Sequence, residues 1–585
     1  MTTGQPDRHY EELLNALRST SGEERQGALD HLAGDPDVDV LLRSMAYVLD
    51  SADELIERGA SALRQAVGKH LFPSEFVPRG AMSILRPTSQ VDKFAFLERG
   101  EEVLLQRPNK GTQRFRVLAR SQISPLNIGS AGSTYNPTRD ETTLNLAIRS
   151  PEPFPVAMIQ SLPFLLQGDL AGAQIIYRAL RTALSRIEVR IDDEPFFADQ
   201  SQVRNLFEGN QFVGQVTRNE GQLPFDLIEF FLGFSSLLRN FEIKLGQVHD
   251  QILEGQSKGR YEGLDSATQI DISLTLTGDA LQGVEVTPSY FLLNPIVVEN
   301  MYEKRSLPVA YQGARDTLEF NINLAESNSE VPVDVLELTT TSSDSPTEVV
   351  LTPDFSSASN RSEVVGKFQV IKKAAATSSA DSKTVQTSIS LDPAHIGKLT
   401  GPVHATMLCT NGSAVENLPS GSIYRGLNGD LGRFELTNVV RTTRYHDASI
   451  SEQKLLNGLL DAYACDINVF ADTARLKSLW QFYAERVNAS GADLRKFDFG
   501  IVKTTLKVTS TIYRLGNLPC YEICIGVDDD QFDTPDELFS YVDILQMVVI
   551  RLCPINCTSR FKVEKTRSGE ILEWPILIAS ERLSP

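Results

Sequence analysis

Between Gln269 and Thr277 apolar and polar residues alternate without a break: Ile270, Ile272, Leu274 and Leu276 are separated by Asp271, Ser273 and Thr275. Successive side chains of a strand point to opposite faces, so a period of two demands a sheet with one dry and one wet face. Leu318, Phe320, Ile322 and Leu324 repeat the pattern. Ile187, Val189 and Ile191 alternate with Glu188, Arg190 and Asp192, and Tyr521, Ile523, Ile525 and Val527 form another such run. Sheet is therefore expected from the middle of the chain onward.

The first seventy residues carry the other period. Tyr10, Leu13, Leu14 and Leu17 fall on one helical face. A second helix is expected from Asp35, with that residue as N-cap, Pro36 in the first helical position, and Asp37 and Asp39 at the positive end of the dipole. Val38, Leu41, Met45, Val48, Ala52 and Leu55 then repeat at gaps of three and four. The pattern runs, interrupted at Gly59 and Gly68, to Leu71, a length of about 50 Å if continuous. Such a stripe packs either on its own domain or on a partner chain.

Pro73, Pro78 and Pro87 mark the exit, and short β pieces follow up to Ile128. Residues 127–138, rich in Gly, Ser and Pro, read as a loop and as a candidate joint between domains. Asp169 reads as the N-cap of a helix carrying Ile175, Ile176, Leu180 and Leu184, and Leu227 to Leu238 as one apolar helix. The Ser/Thr-dense stretch 339–390 reads as loops and short edge strands, because it has little to bury. Thr534-Pro535-Asp536-Glu537 is a capping box ahead of the stripe Leu538, Val542, Leu545, Val549 and Leu552. The expected fold is α+β and multidomain, an N-terminal helical segment followed by mixed and antiparallel β-rich domains. The boundaries are a helical bundle segment over 1–75, a β-rich domain over 76–145, an α+β domain over 146–265, a β-rich domain with Ser/Thr-rich loops over 266–445, and an α+β domain over 446–585.

Charge narrows the function. The 585 residues hold 56 basic and 76 acidic side chains, a net charge of −20, and no basic patch, so nucleic acid and anionic membrane surfaces are disfavoured partners. Met1 to Arg8 is polar, no run approaches the roughly 18 apolar residues of a membrane span, and neither a secretory leader nor membrane insertion is expected. Six cysteines are sparse for this length and suit a reducing compartment. The seven histidines show no metal-ligand spacing, and neither a phosphate-cradling glycine loop nor a nucleophile elbow occurs. Cys520, Cys524, Cys553 and Cys557 have the number of thiols a zinc site needs, but small buried residues at those positions explain them as well. Asp528, Asp529, Asp530 and Asp533 lack the glycine and final glutamate of a calcium loop and read as a solvated turn. No cofactor, metal or catalytic residue is assigned.

Several stretches in order carry a resemblance. They are Tyr10 to Leu14 with Leu17-Arg18, Asp35 to Val38 with Leu41-Leu42 and Ala46-Tyr47, Leu71 to Pro73, and Arg99 to Arg116 running on to Pro125-Leu126-Asn127-Ile128. Gly168-Asp169, Glu229-Phe230-Phe231, Asn294 to Asn300, Cys409-Thr410-Asn411, Leu418-Pro419, Glu522 to Asp528 and Trp574-Pro575 follow. Together they resemble the TssF family of type VI secretion. The resemblance implies a structural subunit, related to wedge proteins of contractile phage baseplates, that catalyses nothing. It implies assembly with TssG-, TssE- and TssK-like proteins and a second copy of itself around a spike hub, supporting the sheath. It also implies a cytoplasmic place, in a baseplate near the inner membrane. Tyr10, Leu13, Leu17, Leu41, Met45, Val48, Ala52 and Leu55 are the candidate partner contacts. The alternatives are a wedge or adaptor of a phage tail or extracellular injection particle, and a glycan-acting enzyme, which two acids converging in one pocket would mark.

Overall fold

The computed structural model describes residues 9–13, 40, 43–49, 67–68, 71–72, 79–88, 91, 94–107, 111–118, 120–205, 225–257, 261, 264, 266–309, 317–319, 330–342, 345–353, 364–374, 385–391, 402–426, 434–445, 452–487, 500–513, 516–532 and 534–578. The chain divides into two compact units: Met1–Leu71 with Ser451–Leu456, and Phe72–Ile450 with Asn457–Pro585. In the smaller unit residues 9–13 and 43–49 are helical. The Arg43 guanidinium lies over the Tyr10 ring, 5.0 Å from its centre, and joins the two helical pieces.

The larger unit contains a closed barrel. Its strands are β1 (Met82–Pro87), β3 (Glu102–Arg107), β4 (Gly111–Val117), β15 (Ile296–Glu299), β23 (Ile423–Gly426) and β24 (Glu435–Asn438), in the spatial order β1-β15-β4-β3-β23-β24. Its strands therefore come from three separate stretches of chain. The core is Leu85, Val103, Leu105, Phe115, Val117, Val298, Tyr424 and Leu436, with the Phe115 and Tyr424 rings edge to face at 5.3 Å. Each such side chain contributes about 1.5–3 kcal/mol on burial. The pair β2 (Ala95–Leu97) and β5 (Ser121–Ile123) forms a ribbon of its own.

A five-stranded sheet runs β10 (Glu194–Ala198), β9 (Leu184–Ile191), β13 (Ser266–Thr277), β7 (Glu141–Pro155), β6 (Asn127–Asn136). Ile270, Ile272, Leu274 and Leu276 are buried, as their alternation requires. β6 corrects the loop expected over 127–138. It pairs with β7 from Asn127↔Arg149 to Asn136↔Glu141, with one irregularity between Ile128 and Ser130, so it is an ordered edge strand and no joint. The fifteen-residue β7 supplies a full row of hydrogen-bonding groups, and that row overrides the weak strand propensity of Gly and Ser. A four-stranded sheet, β11 (Val203–Asn205), β12 (Asn240–Lys244), β8 (Ser161–Leu166) and β14 (Phe291–Leu293), accompanies helices α1 (Leu170–Thr182), α2 (Asp226–Gly233) and α3 (Gly246–Ser257). The helix expected over Leu227 to Leu238 stops at Gly233: Phe234 leaves the helical region, with φ −143°, and a 3₁₀ turn Ser235–Arg239 follows.

The largest sheet has seven strands: β16 (Tyr302–Arg305), β22 (His404–Thr410), β18 (Val331–Ser342), β19 (Ser345–Pro353), β20 (Val364–Ala374), β21 (Val385–Leu391) and β17 (Thr317–Glu319). Where these residues are described it corrects the reading of 339–390 as loops and short edge strands, because β18 to β21 are interior strands of up to twelve residues; residues 343–344, 354–363 and 375–384 lie outside the described residues. Threonine and valine are β-branched and suit a pleated strand irrespective of burial. Reasoning from burial alone missed them. Leu318 lies in β17, and Phe320, Ile322 and Leu324 fall outside the described residues.

The C-terminal sheet runs β25 (Ile501–Tyr513), β26 (Gly516–Val527), β27 (Thr558–Lys565), β28 (Ile571–Glu573), with β29 (Leu577–Ile578) also on β27. Helices α4 (Glu452–Tyr463) and α5 (Thr473–Arg486) precede it, and α6 (Pro535–Leu552) covers its apolar face. The expected cap is present: Glu537 N–H donates to Thr534 Oγ1 at 3.1 Å, and Pro535 opens the helix. Phe539 of α6 stacks on Trp574 at 5.4 Å, and Trp574 packs against Phe561 of β27 at 5.2 Å.

Candidate functional site

Buried polar joints distinguish the larger unit. The first ties α1 to α6. Asp543, fully buried, accepts from Arg181 Nε at 3.0 Å, from Trp574 Nε1 at 2.9 Å and from the Tyr177 hydroxyl at 2.9 Å. Arg181 Nη2 also donates to Gln546 Oε1 at 2.7 Å, and Asn205 Nδ2 of β11 donates to the Tyr177 hydroxyl at 3.0 Å. Six side chains from four segments thus join around one carboxylate and one guanidinium away from water. Sequence reading missed the group because each member looks ordinary on its own element; the one hint was a charge, Asp543, inside the apolar run of α6.

The second joint is an Arg–Glu–Arg triad. Glu229 of α2 pairs with Arg79 Nε at 3.2 Å and with Arg486 Nε, at the end of α5, at 2.9 Å; all three residues are buried. Arg486 also lies over the Phe482 and Tyr483 rings. The third joint unites two motifs that sequence reading quoted separately. Asn300, after β15, accepts from Thr410 Oγ1 at 2.8 Å and from Asn411 N–H at 2.7 Å, and donates to Asn411 Oδ1 at 2.8 Å. Gly80 passes so close that an added Cβ would meet Asn300 O at 2.5 Å. The barrel and the seven-stranded sheet are fastened here. Beside it, burial pushes the Cys409 thiol up to about 12, and Tyr302 is raised by burial and by Glu330, its hydrogen-bond acceptor at 3.0 Å.

The cysteines and the acidic turn resolve separately. Register puts Cys520 and Cys524 on the face of β26 opposite Ile523 and Ile525, whereas Cys553 caps α6, which packs on the Ile523 side. Among the described residues no three His, Cys, Asp or Glu side chains converge as metal ligands. In the acidic turn Asp528 caps a 3₁₀ turn, and Arg567 pairs with Asp528 at 3.2 Å and with Asp530. A cleft of about 410 Å³ is lined by Asp169, Glu285 and Tyr290 among others. Asp169 caps α1, accepting from Gly172 N–H at 3.0 Å, and takes the Tyr290 hydroxyl at 2.7 Å. Asp169 thus works as the cap of α1.

Of the candidate partner contacts, Tyr10 and Leu13 are half-buried, Met45 is 49% and Val48 64% exposed, and Ala46 between them is buried. Leu17, Leu41, Ala52 and Leu55 lie outside the described residues. Among the described residues no helix is long and apolar enough to cross a membrane.

The family described as Type VI secretion system, TssF, matches over residues 23–581. No curated protein matches the chain. Among solved structures it is similar to a chain of the type VI secretion system TssK-TssF-TssG baseplate subcomplex, at 13% identity and a TM-score of 0.69, covering 92% of this chain and 98% of that one. It is also similar to a chain of the baseplate complex from the type VI secretion system, at 12% identity and a TM-score of 0.53, covering 98% and 99%. At these identities the likeness is one of fold.

Proposed function

Because the chain belongs to the TssF family of the type VI secretion system, structural subunits of the baseplate wedge, we propose that it works by holding neighbouring subunits in register and catalyses no reaction. The observation that carries this reading is the family match over residues 23–581, nearly the whole chain. The joints around Asp543, Glu229 and Asn300 support it. They spend charged and amide side chains on fixing one element to another, which suits a part that transmits force between neighbours.

TssG- and TssK-like proteins are the first partners, as in the solved subcomplex that shares this fold. A TssE-like protein, a second copy of this chain and the spike hub complete the ring on which the sheath is built, at the cytoplasmic side of the inner membrane. The helical stripe that includes Met45 and Val48 meets the TssG-like chain, since both side chains are exposed.

Co-expression with the neighbouring genes tests the reading: a stable heteromeric wedge is expected on purification, and a lone monomer overturns it. Within that wedge Met45→Asp should weaken the TssG-like contact at least tenfold, because burying a methionine contributes about 1.5–3 kcal/mol and about 1.4 kcal/mol is a factor of ten. Unchanged binding by a folded Met45→Asp chain removes the stripe from the interface.

A further inference from the structure

The outer strand of the C-terminal sheet is β25, which pairs with β26 on one side and, among the described residues, with no strand on the other. Two contacts fix which way its backbone groups point. Thr504 N–H donates to Thr473 Oγ1 at 3.1 Å, away from β26. Ser510 stands opposite Pro519, and that pair cannot exchange both ladder bonds because proline has no N–H. Backbone groups alternate with a period of two. The N–H and C=O of Leu506, Val508, Ser510 and Ile512 therefore all face outward, and among the described residues none of these N–H groups has a protein acceptor. Thr473 covers the start of the edge, and among the described residues no backbone group pairs with the rest.

The side chains along this edge describe what would cover it. Val508 is 64% and Ile512 84% exposed. Register puts both on the face of Ile523 and Ile525, the face that α6 buries further along the sheet. Lys503 and Lys507 stand on the opposite face. There Arg560 pairs with Glu522 at 2.9 Å and Lys562 with Glu573 at 3.2 Å, whereas Lys503 and Lys507 make no ion pair among the described residues. Residues 501–513 hold these two lysines and no carboxylate, in a chain of net charge −20. Two copies meeting edge to edge would set lysine edge against lysine edge, a known device against self-pairing.

We infer that the β25 edge receives an extended, acidic segment of a different protein, which adds to the sheet as a further strand. Its backbone pairs with Leu506, Val508, Ser510 and Ile512; its apolar side chains extend the Val508–Ile512 face, and its carboxylates lie beside Lys503 and Lys507. The inference goes beyond the wedge reading and rests on it only for the assembly used in one of the two measurements below.

The first measurement is fluorescence anisotropy of the full chain with a labelled heptapeptide of alternating valine and glutamate, against its valine and lysine counterpart. The acidic peptide should bind in preference. Ser510→Pro removes an outward N–H and no ladder bond to β26, and it should weaken that binding at least tenfold, while Lys503→Glu with Lys507→Glu should reverse the preference. The second is hydrogen exchange at the four outward amides, which should slow at least tenfold in the co-purified wedge relative to the isolated chain. Peptide binding indifferent to both variants overturns the inference, as does a wedge that forms with these amides still exchanging freely. Slowing in the isolated chain that rises with its concentration identifies a second copy as the occupant and overturns it too. Failure to form any wedge counts against the wedge reading alone, and the peptide measurement then decides.

Discussion

Asp543→Asn takes one charge and almost no volume from the joint between α1 and α6. The carboxylate accepts three hydrogen bonds, from Arg181, Trp574 and Tyr177. Asparagine retains a single acceptor oxygen, and its amide N–H groups face groups that already donate. Arg181, 7% exposed, is left as a buried cation without its counter-charge. Stranding one member of a buried ion pair costs about 3–5 kcal/mol, and full burial means solvent screening does not reduce that figure. Arg181→Met strands the carboxylate instead and should cost a similar amount. With both changes neither charge remains, so the pair should cost about 2–3 kcal/mol less than the sum of the singles. The readout is built in: Trp574 touches Asp543, and the only other tryptophan is Trp480. In a Trp480→Phe background, guanidinium unfolding followed by Trp574 emission reports on this joint. A loss below about 1 kcal/mol for Asp543→Asn, or strict additivity of the two changes, refutes the reasoning.

Two further outcomes follow from the joint at Asn300. Gly80→Ala forces a Cβ against the Asn300 carbonyl, 2.5 Å away, where only backbone can yield. It should destabilise the barrel by about 1–3 kcal/mol, and an unchanged melting temperature would remove the close approach from the account. Burial holds the Cys409 proton more tightly in the folded state than in the unfolded chain, whose thiol titrates near the ordinary 9.0. This part of the stability is therefore complete below pH 9 and is lost as pH rises toward about 12. The melting temperature of Cys409→Ala should fall less steeply between pH 9 and 11 than that of the parent. Iodoacetamide should leave native Cys409 unmodified at pH 8, and rapid native labelling contradicts the burial argument.

What the sequence made legible was local. Alternation at Ile270 to Leu276, the Asp169 cap and the Thr534 cap each act within one or two turns of chain, and each is in place. The strands at 127–136 and within 339–390 escaped because composition argued against them, although their hairpin partners follow directly in the chain, Asn136 opposite Glu141 and Ser342 opposite Ser345. The joints escaped because their members lie far apart in the chain. Arg79 and Glu229 are 150 residues apart, and Tyr177 and Asp543 are 366 apart; no local period marks such pairs. The β25 edge escaped as well: which side of a strand stays open depends on the order of the sheet, which no local period marks.

Drawing β1, β3, β4, β15, β23 and β24 from three distant stretches has a consequence for biosynthesis. β1, β3 and β4 leave the ribosome early, but β15 arrives only with residue 299 and the closing strand β24 only with residue 438. At roughly 5–20 residues per second the first strands wait some tens of seconds for their last neighbour. Through that interval Leu85, Val103 and Val117 stand on unclosed sheet edges, open to chaperones and to stray pairing alike. A chain truncated anywhere before residue 438 can never close the ring, so incomplete products carry a mark that quality control can read before any of them reaches a growing assembly.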